Sequence, residues 1–294
     1  MTLSLHHPAV RDLCWAINSP ALLEAPCLNP WQDSSHWFSE LLQQLDQQPA
    51  PLLHHLQQQV HHPYQPKLGQ YFEQLWHFYL RHHPDYQLLV NNLQIQGPDN
   101  RTLGELDLLI RNRHNHKVLH LELAVKFYLA VPLQPEDNSL ACYIGPGLKD
   151  RLIDKYRHTC NHQLPLSGSN AAQALLAARK IKVDQAQAVF RGRLFHPLAI
   201  AANNQPAWLA QAQLQQLDSS AHFICLQRRQ WFAEQSVPQG SYDYNQLVSN
   251  LSAPLTRPLQ VAVIDPHTGQ EMRRLFVVPD DWEAAARDCL SQPL

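Results

Sequence analysis

The longest unbroken alternation in the chain runs from Val118 to Leu129. Leu119, Leu121, Leu123, Val125, Phe127 and Leu129 form one wholly apolar face, and Val118, His120, Glu122, Ala124, Lys126 and Tyr128 form the other. Successive side chains point to opposite faces of a strand, so this period-2 pattern predicts a β-strand with its apolar face on a core. Just before it, Leu106, Leu108 and Ile110 alternate with Glu105, Asp107 and Leu109, and the polar run Asn112–Lys117 joins the two segments as a hairpin. Upstream, residues 66–83 carry Leu68, Phe72, Leu75, Trp76 and Tyr79 in one stripe at helical spacing, ended by Pro84. Gln87–Gln96 reads as a further strand, closed by the turn residues Gly97-Pro98-Asp99-Asn100.

The flanking regions are less regular. Residues 1–60 read as a polar, solvated helical lid. Trp37, Leu41, Leu42 and Leu45 recur at helical spacing after an N-cap at Ser34 or Ser35, Pro49 and Pro51 stop that helix, and Leu52–Val60 starts another. Residues 147–163 predict a helix with Leu148, Leu152, Tyr156 and Cys160 along one side, ended by Pro165, and Ser169–Lys180 predicts the next. From Ala188 the pattern is β-rich and closes with a hairpin over Gln260–Val278 that turns at Asp265–Gly269. The expectation is an α/β protein with a mixed sheet flanked by helices, divided into a helical N-terminal extension (1–60), a core (61–184) and a β-rich C-terminal subdomain (185–294).

Composition narrows the classes. With 294 residues, 45% of them hydrophobic and 16% charged, the chain can build a core, and general disorder is excluded. A net charge of −2 lacks the basic excess of many nucleic-acid binders, although eighteen histidines and local basic stripes fit within a neutral total. Only nine glycines occur, with no Walker A loop, Rossmann glycine fingerprint or G-x-S-x-G elbow, which argues against nucleotide-cradling loops. Six cysteines without a CxxC pair suggest free thiols in a reducing cytoplasm. No apolar stretch approaches a membrane span and the start lacks a secretory pattern, so the expected location is cytoplasmic with no membrane partner.

The chemistry lies in the hairpin. An antiparallel pair symmetric about 112–117 places Asp107 opposite Glu122, with Cβ atoms about 5 Å apart. Two ionised carboxylates that close require a shared proton or a cation between them. Hard oxygen ligands from neighbouring strands suit Mg²⁺ or Mn²⁺. Glu105 shares the face one pleat further out, Lys126 lies two pleats from Glu122, and Glu73 on the preceding helix offers a third carboxylate. Taken singly, each is more simply a solvated charge or a weak surface ion pair. The wholly apolar opposite face weighs the other way, since it sets the polar residues apart as a group.

Gly104-Glu105-Leu106-Asp107-Leu108-Leu109 followed by Leu121-Glu122-Leu123-Ala124-Val125-Lys126 resembles the signature of the PD-(D/E)XK, or restriction-endonuclease-like, superfamily, and Leu68-Gly69 to Glu73 resembles its first helix. The resemblance spans roughly residues 66–165. The whole chain further resembles an uncharacterised bacterial family assigned to that superfamily, through Gly145-Pro146, Asp150, Lys155 and His162-Gln163-Leu164-Pro165-Leu166-Ser167. The resemblance implies a nuclease hydrolysing phosphodiester bonds of DNA or RNA with Mg²⁺ or Mn²⁺. Its metal ligands would be Asp107, Glu122, the backbone carbonyl of Leu123 and, as an outer ligand, Glu73. Lys126 would be the catalytic lysine, with Glu105, Gln163 and Lys155 as auxiliary residues. Nucleic acid is the implied partner and a homodimer a candidate assembly. One departure stands out: the superfamily spaces this motif E-x-K, whereas here it is E-x-x-x-K, with Ala124 where the lysine is expected. Lys126 keeps the right face but lies about 6.6 Å further along. Either its side chain or a bulge restores the geometry, or the protein binds nucleic acid or a protein partner without cutting.

Other features compete. His158 and His162, spaced i, i+4 around Cys160, raise the alternative of a zinc-stabilised adaptor. The pairs His54-His55, His61-His62 and His82-His83 read as solvated helix ends. Arg191-Gly192-Arg193, Arg228-Arg229 and Arg273-Arg274 each adjoin an aromatic residue, a pattern that can stack single strands but more often marks charged strand edges.

Overall fold

The computed structural model describes residues 4–58, 67–132, 134, 139–235 and 241–292. Among these residues it is a mixed α/β protein whose sheet has nine strands flanked by helices. The predicted boundary at residue 60, the His61-His62 pair and the end of the predicted helix Leu52–Val60 lie outside the described residues. The chain forms two compact units, one of residues up to Val125 together with Tyr156–Gly192, the other of Lys126–Lys155 and Arg193 onward. The division falls inside two strands, after Val125 and after Gly192.

In the first unit, α1 (Pro8–Asn18), α2 (His36–Gln47) and α3 (Ala50–Gln58) precede the long α4 (Leu68–His82). They are not a solvated lid. Val10, Leu13 and Ile17 on α1, Phe38 and Leu42 on α2, and Leu52 on α3 are buried. The i, i+3, i+4 spacing that reads as a polar helix with a thin stripe is enough here because three short helices share one core, each burying only that stripe. Asp12 on α1 accepts a hydrogen bond from Tyr71 on α4 at 2.9 Å, which satisfies a buried carboxylate. α4 runs as its apolar stripe predicts, and Trp76, Leu75 and Tyr79 have no exposed surface.

Three strands follow: β1 (Tyr86–Gln96), β2 (Thr102–Asn112) and β3 (Val118–Ala130). β1 pairs antiparallel with β2, with a register shift between Leu88 and Val90. Asn92 within β1 adopts φ 52°, a left-handed conformation that asparagine tolerates better than most residues. β2 and β3 form the expected hairpin, pairing Leu108 with Leu121, Leu109 with His120, Ile110 with Leu119 and Arg111 with Val118. The turn closes through Asn112 N–H to Lys117 O at 2.9 Å.

The predicted helix over 147–163 starts later. After β4 (Tyr143–Ile144), Gly145 and Asp150 close a turn in which Gly145 N–H donates to Asp150 O at 2.8 Å and Leu148 takes φ 57°. Only then does α5 (Leu152–His158) begin, and Thr159–Gln163 widens it into a π-helical turn before α6 (Leu164–Leu166). Pro165 lies within α6, which continues from the π turn, rather than ending the helix before it. α7 (Asn170–Ala178) is capped by Ser169, whose hydroxyl accepts from Ala172 N–H.

The second unit is β-rich. β5 (Gln185–Pro197) crosses the division and pairs parallel with β6 (Ala207–Ala210), which pairs parallel with β9 (Glu271–Val278). β7 (His222–Leu226) and β8 (Leu259–Ile264) complete it in antiparallel pairing, and β8 and β9 form the predicted terminal hairpin. The unit also holds α8 (Tyr244–Asn250) and α9 (Trp282–Ser291), two helices that the sequence expectations did not include, α9 burying Trp282, Ala286 and Leu290 along one side. Ala207, Phe223, Leu247, Val261 and Val277 form its core.

Candidate functional site

The β2–β3 pairing ends at Leu108–Leu121, so Asp107 and Glu122 lie just beyond its last pair and their expected opposition is not part of the ladder. The two carboxyls are held differently. Asp107 Oδ2 accepts the backbone N–H of Leu123 at 2.8 Å. Glu122 is 2% exposed, and each of its oxygens accepts one bond: Oε1 from His120 Nε2 at 2.8 Å, and Oε2 from the Gln163 amide at 2.5 Å. The Gln163 carbonyl in turn accepts from the Thr159 hydroxyl at 2.7 Å. The π turn therefore aims Gln163 at Glu122, a recurrent use of such bulges. The face that reads as polar is covered rather than solvated.

Glu73 and Glu105 belong to the same negative locus. Burial raises the Glu73 carboxyl above the usual range, and the charges of Glu105 and then Glu122 push it further, while a hydrogen bond with Asn92 opposes the shift. Glu105 is raised by burial first and by Glu122 next, with Gln94 opposing. Three acids from α4, β2 and β3, Glu73, Glu105 and Glu122, thus feel one another's charge, and Asp107 lies on β2 two residues from Glu105. The left-handed Asn92 of β1 supports one of them.

His120 is the residue the sequence reading passed over. It has no exposed surface, bonds Glu122 through Nε2, and leaves Nδ1 buried with no hydrogen-bond partner. Its position two residues before Glu122 on the same strand face was a usable signal. A second buried acid also went unread: Asp33 accepts from Tyr79 Oη at 2.6 Å, and Tyr79 accepts from Trp31 Nε1 at 3.1 Å. Trp31, Trp37 and Tyr86 line a cleft of about 510 Å³ beside it.

Lys126 and Lys155 belong to the second unit. The Lys126 ammonium donates to Asp150 Oδ2 at 2.6 Å, and Tyr128 Oη donates to the same oxygen at 3.1 Å. Gly145 makes room for that carboxylate, since a Cβ there would lie 2.3 Å from Asp150 Oδ1. Lys155 lies in α5.

The arginine points are mostly structural. Arg191 has no exposed surface and donates to the carbonyls of Ile17 and Trp31, and burial lowers its pKa to about 10. Arg274 is 2% exposed and forms a two-bond pair with Glu271 at 2.8 Å. Arg193 donates to the carbonyls of Trp231 and Phe232. These three hold backbone rather than present charge to a ligand, and only Arg228 and Arg229 stay exposed as a pair, near Trp231. His158 and His162 stack with ring centroids 5.3 Å apart. Among the described residues no three His, Cys, Asp or Glu side chains form a group able to hold a metal ion, neither at His158 and His162 nor among Glu73, Glu105, Asp107 and Glu122.

Residues 11–278 match a family described as a domain of unknown function, DUF1853. The chain belongs to the DUF1853 family. No curated protein matches it, and no solved structure does. Among the described residues of this DUF1853 chain, no helix is long and apolar enough to cross a membrane.

By donor type the DUF1853 acids suit a hard divalent cation, since all are carboxylates, and burial first and neighbouring charge second raise the proton affinity of two of them. Glu122 already accepts one hydrogen bond at each oxygen, from His120 and Gln163, which leaves each oxygen a further lone pair.

Proposed function

We propose that this protein is a divalent-metal-dependent nuclease of the PD-(D/E)XK type, hydrolysing phosphodiester bonds of DNA or RNA. What supports the reading is the mutual electrostatic influence of Glu73, Glu105 and Glu122, with Asp107 held by the Leu123 amide just beyond the last β2–β3 pair. Asp107 and Glu122 would hold Mg²⁺ or Mn²⁺, with the Leu123 carbonyl and Glu73 completing the set. Bound there, the cation would supply positive charge to the scissile phosphate and acidify an attacking water. The chain's own residues do the positioning. The Leu123 amide fixes the Asp107 carboxylate, while His120 and Gln163 fix the rotamer of Glu122. The partner would be nucleic acid, the setting cytoplasmic and the assembly a homodimer.

A second reading is favoured by one observation. The Lys126 ammonium is engaged by Asp150, and Ala124 occupies the position of the expected lysine. A degenerate nuclease fold that binds nucleic acid or a protein without cutting would look the same. A cleavage assay with Mn²⁺ over single- and double-stranded DNA and RNA separates them. Nuclease function predicts cutting by the wild type and at least a hundredfold loss in Asp107→Asn, which keeps an acceptor for the Leu123 amide. No cutting by the wild type of any substrate supports the non-catalytic reading.

A further inference from the structure

Two cysteines play no part in the acidic site. Cys27 Sγ and Cys160 Sγ lie 2.7 Å apart although 133 residues separate them in the chain. That is closer than unbonded thiols rest, and not far from the roughly 2.0 Å of a disulfide. Their approach is built into the fold. Cys27 O accepts Ala188 N–H and Asn29 N–H donates to Ala188 O, so the backbone on both sides of Leu28 is tied to β5. Cys160 sits in the π turn Thr159–Gln163. Leu28, next to Cys27, and Leu164, one turn from Cys160, are buried in one cluster with Ala124 and Phe190. Both thiols remain partly exposed and both are free.

We infer that Cys27 and Cys160 form a reversible disulfide under hydroperoxide, clamping the π turn that carries Gln163 to the segment before β5. The reaction balances in two steps. The Cys27 sulfur attacks the peroxide, the O–O bond breaks, and a sulfenic acid and water form. The Cys160 sulfur then displaces the sulfenic oxygen, which leaves as water with the remaining thiol proton. Two thiols are oxidised by two electrons in all and one hydrogen peroxide is reduced to two waters. Burial and the neighbouring Cys27 push the Cys160 thiol up to about 11, so its attack quickens as pH rises. A dithiol reductant restores both thiols. The inference stands independently of the proposed nuclease activity.

The test uses the full chain. It is treated with graded hydrogen peroxide, alkylated, digested and mapped by mass spectrometry. Expected is a Cys27–Cys160 cross-linked peptide that appears before oxidation of Cys14, Cys225 or Cys289, and a melting midpoint raised by roughly 5–10 °C that dithiothreitol reverses. Cys160→Ser should abolish both changes. Should that variant fail to fold, the wild-type peptide map decides. Separate sulfinic acids at the two positions, preferential cross-linking of any other pair, or an unchanged melting midpoint on cross-linking would overturn the inference.

Discussion

Glu122 shows how a residue's partners set the experiment that can be done on it. It is buried and accepts from His120 and Gln163, so truncation to alanine strands the buried His120 nitrogen and the half-buried Gln163 amide at a cost of about 1–3 kcal/mol. A loss of activity in that variant would therefore mix chemistry with stability, whereas Asp107→Asn keeps its acceptor. His77 makes a cleaner residue-scale prediction. It is 3% exposed, with Nε2 unpartnered, and burial, then His55 and Arg81, lowers its pKa from 6.5 to about 4. The unfolded chain binds the proton more readily between those values. Stability from this group is thus full above pH 6.5 and is lost as pH falls toward 4. The loss approaches about 3 kcal/mol at the low end. Urea midpoints of His77→Phe should fall less steeply than wild type over that window. An unchanged acid limb would show that His77 does not carry it.

At the scale of elements, the hairpin was legible because strict alternation fixes both strand and register: the polar run at 112–117 gives the pairs from Arg111–Val118 to Leu108–Leu121, which stop one short of Asp107 and Glu122. The reading was weaker wherever local conformation departed from a single period. Residues 147–163 look uniformly helical, yet Gly145 and Asp150 close a turn first and the π turn breaks the ladder. Neither Asn92's left-handed bend nor the covering of the Glu122 face leaves a periodic trace, since both depend on which helix packs where. Gly145 gives the element-scale prediction. Gly145→Ala should displace the Asp150 carboxylate from Lys126 and Tyr128 and cost about 1–3 kcal/mol in chemical denaturation. Wild-type stability in that variant would mean the turn yields without strain.

For the molecule as a whole, each unit has its own core and its own buried charge. In the second, Arg274 joins Glu271, Gln260 and the carbonyls of Gln230 and Ala233. Arg274→Ala leaves Glu271 buried without its cation and should cost about 3–5 kcal/mol, read from urea melts, and a cost below 1 kcal/mol would argue that water replaces the guanidinium. In the first, the unresolved charge is negative. Glu73 and Glu105 have raised proton affinity, so without a cation the unit loses stability as pH rises from their ordinary value of 4.5 through their higher folded values. A bound divalent ion would reverse that trend. Direct calorimetric titration of Mn²⁺ into the wild type and Asp107→Asn at pH 7.5 is therefore the decisive measurement. The account predicts saturable binding to the wild type and at least a tenfold weaker affinity in Asp107→Asn. Absence of binding at millimolar Mn²⁺, or equal affinity in the two proteins, would contradict it.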